Sequence, residues 1–327
     1  MAKVYIKEFP PKKILKNRRD CHRQFVATIG VFDGLHMGHR FILKELIKKA
    51  NRLSAYPLVI TFWPHPQEVI SGKFVGHIMN ILYKRKALHS LGISNIWCFK
   101  STRQLLRMDG FSFVKKITRR FPLKGLVVGE DFKFGYRGRY SVEELREISH
   151  RLGIHLSVVR KIKYKGIVVS SSHIRELIYS GNFKKAEILL GRAYFMEGKV
   201  VRGNRIGRKL GYPTANVINY DRFIVPEAGV YAVYVGVGRK IYLGAANIGF
   251  KPTLKTKRKK HSLEVHIINF NKNILNKKIR IIFLEKLREE KRFPSLSSLR
   301  KAIEKDTALI TSKYSTPQGY LTQLFVS

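Results

Sequence analysis

Two histidines at a glycine-containing turn are the first residues whose types and spacing could do chemistry. His36 and His39 lie three residues apart in Gly-Val-Phe-Asp-Gly-Leu-His-Met-Gly-His, residues 30–39. The apolar run 25–29 before this stretch predicts a buried strand, and the apolar spacing over 42–50 predicts a helix. A helix N-terminus offers unpaired N–H groups and a positive dipole end, so two imidazoles beside it predict a polyphosphate site. One histidine alone would be interpreted as a solvated or packed residue.

Three further polar stretches lie in the first half of the chain. Residues 61–66 hold His65 between two prolines, which fix the loop. Residues 128–135 enclose an acidic pair and two aromatic rings between glycines, which suits a ribose or base pocket. Residues 169–175 place serine hydroxyls at a helix start with Arg175 one turn in, which suits pyrophosphate. Each stretch taken singly has a structural alternative. Residues 61–66 also fit a rigid loop, residues 128–135 a turn whose rings join the core, and residues 169–175 an ordinary serine N-cap.

The second half of the chain contains a glycine-rich basic stretch and a carboxylate on a predicted strand. Residues 198–208 carry glycines and basic side chains that can surround phosphates, and no Walker sequence Gly-x₄-Gly-Lys-Ser/Thr is present. Thr214 and Asn216 offer hard oxygens on one side of an extended segment, which suits Mg²⁺. Glu264 and His266 would share one face of a strand. Considered alone, the stretch with Thr214 and Asn216 also fits a simple turn, and Glu264 also fits an exposed strand residue without a function.

The pattern of apolar residues predicts two kinds of domain. Predicted strands at 25–29, 58–62, 95–99, 125–129 and 156–159 alternate with helices at 42–50, 82–91 and 111–117, and with one capped by Ser141 and Glu144. This alternation predicts a parallel sheet covered by helices, with ligands beyond the strand C-termini. A helical region at 174–190, interrupted at Gly181-Asn182, predicts the hinge. The β-rich runs 230–235, 241–245, 263–268 and 278–284 predict an antiparallel barrel or sandwich, followed by a helix capped by Ser295 or Ser297.

Composition limits the classes of partner. The chain has 327 residues and a formal net charge of +42 at pH 7, with its densest basic run at Lys255–Lys260. Such a charge favours anionic partners, either nucleic acid or nucleotides and phosphates, although a lysine-rich composition of solvated faces explains it equally. Cys21 and Cys98 form no metal-type spacing, and neither a signal peptide nor a membrane-length apolar run is present. We therefore expect a cytoplasmic protein.

The motifs together resemble the prokaryotic bifunctional riboflavin kinase/FAD synthetase family, from about residue 25 to about residue 310. The resemblance implies an α/β Rossmann-like nucleotidylyltransferase domain at 1–184, with a parallel sheet and helices on both faces. It implies an antiparallel β-barrel riboflavin kinase domain with a C-terminal helix at 185–327. The implied reactions are ATP-dependent phosphorylation of riboflavin to FMN and adenylylation of FMN to FAD with release of pyrophosphate. Mg²⁺ is the implied cofactor.

The resemblance also assigns roles to individual residues. The catalytic group comprises Glu264, as general base of the kinase, and His36, His39 and Arg175. The nucleotide- and phosphate-binding group comprises Gly30, Phe32, Asp33, Gly34, Gly38, His65, Ser171, Ser172, Gly203, Gly207 and Arg208. The flavin-binding group comprises Asp131, Phe132, Phe134 and Arg288, and the metal-binding pair is Thr214 and Asn216.

The expected partners are small molecules: ATP, riboflavin and FMN, with FAD as product. No specific nucleic acid and no membrane are expected, and self-association stays open. The alternative is a nucleic-acid-binding protein on a nucleotidylyltransferase-like scaffold, which the net charge of +42 motivates.

Overall fold

The computed structural model describes residues 23–203, 206–219, 222–251 and 260–315. Cys21 and all but the last residue of the basic run 255–260 lie outside these ranges. The chain divides into two compact units: residues up to Val75 with Ile81–Ser170, and Gly76–Asn80 with the residues from Ser171 onward. The units therefore change at Ser170–Ser171, and the boundary of the functional domains after residue 184 stays a prediction.

A five-stranded parallel sheet forms the first unit, as the alternating pattern predicts. Its strands are β1 Phe25–Ile29, β2 Tyr56–Trp63, β3 Asn95–Lys100, β4 Leu123–Gly129 and β5 His155–Val159. Their order is β3-β2-β1-β4-β5, and every neighbouring pair is parallel. All five residues of β1 are buried, which explains its uninterrupted apolar sequence. The chain adds strands outward from β1 to β2 and β3 and then returns to place β4 on the other side of β1. Ligands of such folds bind at this switch point between β1 and β4, beyond the strand ends.

Helices cover this sheet on both faces. They are α1 Met37–Arg52, α2 Pro66–Ser71, α3 Ile81–Ser90, α4 Arg103–Leu106, α5 Gly110–Arg120 and α6 Val142–Arg151, followed by a small hairpin of β6 Lys163–Tyr164 and β7 Ile167–Val168. Apolar residues of α5 and α6 share one core with alternate residues of β1, while α1 packs against β1, β2 and β4. The predicted capping box of Ser141 and Glu144 starts α6. These helices hold the loops that follow β1, β2 and β4.

The second unit is built around a closed antiparallel barrel, so the barrel prediction is confirmed over the sandwich. Its elements are α7 Ser171–Tyr179, α8 Phe183–Leu190, β8 Phe195–Val201, α9 Ile206–Lys209, β9 Thr214–Asn219, β10 Gly229–Val237, β11 Lys240–Lys251, β12 Lys260–Ile267, β13 Lys278–Arg288 and α10 Leu296–Lys313. The barrel order is β10-β11-β12-β9-β8-β13. Gly181 separates α7 from α8 at a φ of 76°. Ser295, one of two predicted caps, starts α10.

Two details of this unit differ from or refine the sequence-based expectation. Gly198 lies inside β8, paired with Ile279 of β13 and Asn219 of β9, rather than in a phosphate-binding loop. A Cβ there would overlap the Ile218 carbonyl of the neighbouring strand, which explains the glycine. The last helix, α10, covers the outside of the barrel, where Ile310 packs with Ala232 and Ala245.

No helix of the described residues is long and apolar enough to cross a bilayer.

Candidate active sites

The turn after β1 is tight and begins helix α1 directly. Its backbone adopts positive φ at Phe32 (50°), Gly34 (85°) and Leu35 (48°). His36 is the N-cap of α1, and its Nδ1 accepts a hydrogen bond from the His39 backbone N–H at 3.4 Å. The sequence therefore predicts the strand, the turn and the helix start correctly. The local reason is that an N-cap acceptor satisfies one of the four free N–H groups of the first helical turn.

The two histidines face the same way, as their spacing predicts, and the structure adds that their rings stack face to face. The ring centroids of His36 and His39 are 3.7 Å apart with an interplanar angle of 19°. The Phe32 ring meets His39 edge-on at 5.2 Å. A Cβ on Gly38 would lie 3.3 Å from the His36 ring, so a glycine there leaves room for the stacked pair. The arrangement places two imidazoles at a helix N-terminus, where anions are stabilised.

A buried lysine supports this turn and was not singled out from the sequence. The Lys84 ammonium of α3 donates to the Val31 carbonyl at 2.6 Å, and the Thr61 hydroxyl donates to the same oxygen at 3.0 Å. Lys84 is only 3% exposed, and Asp33 in the turn is 2% exposed. Helical spacing places Lys84 on one face of α3 but carries no information on what that face contacts, so only the structure reveals the contact.

The loop after β2 is rigid. His65 is the N-cap of α2, and its Nδ1 accepts a hydrogen bond from the Gln67 N–H at 3.2 Å. The Ser101 hydroxyl donates to the Pro64 carbonyl at 2.6 Å and fixes the loop from the β3 side. His65 is 9% exposed. The capping contact fits the rigid-loop alternative, and nucleotide binding by His65 stays a prediction.

The residues after β4 separate into solvent-facing and core side chains. Asp131 is exposed and pairs with Lys161 at 3.7 Å. Phe132 and Phe134 stack with centroids 5.4 Å apart. Phe134 is buried in the core of the sheet, whereas Phe132 packs at its margin. The ring of Phe134 thus serves packing, as the alternative interpretation expects, and flavin binding by this group stays a prediction.

The serine-rich stretch lies at the start of α7, as the sequence predicts. Ser171 is the first helical residue, and Ser172 is exposed. Arg175 lies one turn further on, and its Nε donates to the Gly76 carbonyl at 2.9 Å. Ser171 and Ser172 are thus at a helix N-terminus, which offers N–H groups to an anion.

The central feature of the barrel is a row of three polar residues on adjacent strands. Glu264 of β12 is paired directly with Asn216 of β9 on one side and with Asn247 of β11 on the other. Directly opposed residues of antiparallel strands project from the same face, with Cβ atoms about 4.5–5.5 Å apart. Burial alternates along β12: Leu263 and Val265 are buried, whereas Glu264 is half-buried, so the row lies outside the barrel core. The predicted facing of Glu264 is confirmed.

Two glycines of the loop before β9 allow close packing, and one of them, Gly203, lies against this row. A Cβ on Gly203 would overlap the Asn216 amide, and a Cβ on Gly207 would overlap the Tyr212 carbonyl and approach the Thr214 side chain at 3.2 Å. Glycine at these positions permits a close approach that any side chain would prevent. Arg208, in the single-turn helix α9, is exposed. The loop and the row thus form one polar cradle, with Gly203, Thr214, Asn216 and Glu264 as its predicted members.

Comparisons with known proteins cover both units. A family model described as FAD synthetase matches residues 18–173, and one described as riboflavin kinase matches residues 190–313. The bifunctional riboflavin kinase/FMN adenylyltransferase of Pseudomonas fluorescens is 34% identical over 295 residues, covering 90% of this chain and 94% of the relative. The enzyme of the same description from Buchnera aphidicola subsp. Schizaphis graminum is 33% identical over 300 residues, covering 90% and 96%. The chain belongs to the bifunctional riboflavin kinase/FMN adenylyltransferase family.

The activities follow from this membership. The FAD synthetase region transfers an adenylyl group from ATP to FMN, and the riboflavin kinase region phosphorylates riboflavin with ATP. A crystal structure described as a macrolide-efflux protein from Streptococcus pneumoniae has a TM-score of 0.80 and 28% identity, covering 92% of this chain and 98% of that one. The fold of both units is therefore shared with a solved structure over nearly its whole length.

Arg288, assigned to the flavin of the kinase by resemblance, forms an ion pair in the structure. Its guanidinium binds the Asp306 carboxylate of α10 through three contacts, of 3.1, 3.1 and 2.8 Å. The side chains are 24% and 10% exposed, respectively. This pair fastens α10 to the end of β13, which is a structural role, and flavin binding by Arg288 stays a prediction.

We expect Asp306→Asn to destabilise the kinase unit. The change leaves the partly buried Arg288 without its counter-charge, which costs about 2–3 kcal/mol. The midpoint of a thermal unfolding transition should fall by several degrees in circular dichroism. Glu304→Gln, on the exposed face of the same helix, is the matched control and should leave the midpoint unchanged. An Asp306→Asn midpoint equal to that of the control would contradict the structural role.

Within the described ranges, no three or more His, Cys, Asp or Glu residues lie together in a group that could hold a metal ion.

Burial raises the pKa of the Cys98 thiol to about 11, so this thiol is protonated and is not a nucleophile at neutral pH.

Proposed function

We propose that Glu264 is the general base of riboflavin phosphorylation. The riboflavin 5′-hydroxyl is a poor nucleophile at neutral pH, and a carboxylate within hydrogen-bond reach can accept its proton as the oxygen attacks the γ-phosphorus of ATP. The observation that carries the proposal is the strand register, which aligns Glu264 with Asn216 and Asn247. The two amides can orient the carboxylate and the phosphates, because each offers both a donor and an acceptor. Asn247 is an addition to the residues proposed from the sequence.

We propose further that Thr214 and Asn216 hold Mg²⁺ with the nucleotide. The donor set fits the ion: a hydroxyl and an amide oxygen are hard ligands, and Mg²⁺ binds few protein ligands while keeping waters and phosphate oxygens. The fit rests on the cradle in which a Cβ at Gly203 would overlap Asn216. When bound, the ion neutralises charge on the phosphates.

A glycine substitution tests this cradle. In Gly203→Ala the new Cβ should displace the Asn216 amide, so the Mg²⁺ concentration for half-maximal FMN formation should rise roughly tenfold, as expected for loss of about one ligand interaction. FAD formation from supplied FMN should not change. Gly236→Ala is the control, since its Cβ would meet nothing closer than 3.5 Å. An unchanged Mg²⁺ requirement in Gly203→Ala would remove Asn216 from the metal site.

For the adenylyl transfer, we propose His36 and His39 as the groups that stabilise charge on the phosphates of ATP. Support comes from their stacked rings at the N-terminus of α1. The reaction is an in-line displacement at the α-phosphorus, in which positioning and charge stabilisation supply most of the acceleration. Ser171, Ser172 and Arg175 are proposed for pyrophosphate, since they occupy the first turn of α7 and the position after it. The remaining turn residues would supply backbone N–H groups.

The overall assignment is tested by incubating the purified protein with riboflavin, ATP and Mg²⁺ and separating FMN from FAD. Both products should appear, with FMN first. A chain that converts neither riboflavin nor FMN would contradict the assignment of both sites. We also propose a cytoplasmic location and no sequence-specific nucleic acid or membrane partner, because the substrates of both reactions are small and water-soluble.

A further inference from the structure

A groove of about 720 Å³ lies between the edge strand β3 and helix α5 of the first unit. None of the residues assigned to either reaction lines it. The groove combines aromatic rings with cations, and those members are Trp97, Phe99, Phe111, Lys115, Arg119 and Arg120, together with Lys116. No acidic residue belongs to this lining in the part of the chain that the structure describes. The charge of the groove therefore complements an anionic partner.

The cations are spaced along α5 at helical intervals. Lys115 and Arg119 are four residues apart and lie one above the other on one face, about 6 Å apart along the helix axis. Lys116 and Arg120 repeat this spacing beside them. A row of cations at such intervals can contact successive phosphates of a chain. The nearby carboxylate of Asp109 caps the N-terminus of α5 through the Ser112 N–H at 2.9 Å and is thereby engaged.

The aromatic rings form the floor of the groove. Trp97 and Phe99 are half-buried and pack on the sheet core, whereas Phe111 is 37% exposed. The Arg120 guanidinium lies 5.2 Å from the Trp97 ring centroid, and the Lys115 ammonium lies 5.5 Å from that of Phe111. Phe111 is thus an exposed ring beside cations, on which a flat ring of a partner can stack.

We propose that this groove binds single-stranded nucleic acid without sequence preference. Cations that contact phosphates, next to an exposed ring such as Phe111 on which a base can stack, are the combination that such binding uses. A membrane is disfavoured because membrane-surface helices insert projecting apolar side chains, whereas Trp97 and Phe99 are half-buried against the sheet core. The overall charge of +42 would add long-range attraction. This binding is separate from flavin synthesis and shares no residue with either site.

Fluorescence anisotropy with labelled twelve-nucleotide oligo-dT and oligo-U tests the proposal on the full chain. Between about 50 and about 300 mM salt, four phosphate contacts predict a slope of about −3 in log affinity against log salt. Lys115→Glu with Arg119→Glu should weaken binding at least tenfold and make the negative slope shallower by about 1.4. Phe111→Leu, which keeps an apolar side chain, should weaken binding roughly fivefold. DNA and RNA should bind alike, because the proposed contacts read only phosphates and base faces.

The matched control places the same charge change elsewhere. Arg300→Glu with Lys301→Glu, both exposed on α10, also removes four units of charge and should alter affinity less than about twofold. Equal losses in the two double variants would overturn the proposal, because binding would then follow net charge alone. The proposal would also be overturned if all variants bound oligonucleotides equally while the groove variants lost binding to anionic vesicles or to a polyglutamate peptide.

Correct folding of the variants is monitored by FMN and FAD formation, which should continue at the rates of the unchanged chain. If the glutamate pair lowers these rates, Lys116→Gln with Arg119→Gln gives a milder test of the same surface. That pair should weaken oligonucleotide binding about fivefold and leave both syntheses unchanged. Full oligonucleotide affinity in this pair would contradict the proposal.

Discussion

His36→Asn should lower FAD formation from FMN by about 10²–10³-fold while riboflavin phosphorylation continues. Asparagine is a good N-cap, so the hydrogen bond that His36 accepts from the His39 N–H can persist and α1 can keep its start. The imidazole that would stabilise phosphate charge is lost, however, and one such group contributes about 2.7–4 kcal/mol to the transition state. The measurement is the initial rate of FAD formation with saturating FMN and ATP, beside the rate of FMN formation.

The same substitution also separates catalysis from folding. A purely structural role for His36 would leave His36→Asn nearly as active as the parent chain, because the cap is retained. His39→Ala should show a similar loss of FAD formation. His150→Ala is the control, since His150 is exposed in the last turn of α6 and lies in no proposed site. A fall of both activities in a folded His36 variant would contradict the assignment of the two reactions to separate sites.

Local features of the fold could be predicted because they depend on neighbouring residues. The buried strand at residues 25–29, the turn and the helix that follows are encoded within one short stretch, and so is the capping box at Ser141. The periodicity of two in β12 likewise predicts which face Glu264 occupies. In each case the signal is the spacing of residue types, which does not depend on tertiary partners.

Features that depend on distant pairing could not be predicted. Asn247 faces Glu264 only because β11 pairs with β12 in one register, and a shift of one residue would put it on the other side. The contact of Lys84 with Val31 joins residues 53 positions apart. Arg288 was assigned to flavin by resemblance, and its partner Asp306 lies 18 residues further on. These contacts are set by packing, on which propensity and periodicity carry no information.

The largest expected effect concerns the carboxylate of Glu264. Glu264→Gln keeps the size of the side chain and a hydrogen-bond acceptor next to Asn216 and Asn247 but removes the basicity. General-base help contributes roughly 10²–10⁴-fold, so FMN formation should fall by that order with a modest change in the KM for riboflavin. Supplied FMN should still be converted to FAD at the normal rate, since adenylyl transfer uses other residues.

Glu285→Gln is the matched control for this change. Glu285 is also a strand carboxylate of the barrel, but its oxygens pair with Lys313 at 2.7 and 2.6 Å, which is a structural role. Its replacement should leave FMN formation within about twofold, because a partly exposed ion pair contributes little. If Glu264→Gln behaved like this control, Glu264 would be an ordinary polar residue of the barrel surface. The proton of the riboflavin hydroxyl would then have to pass to another acceptor of the kinase unit.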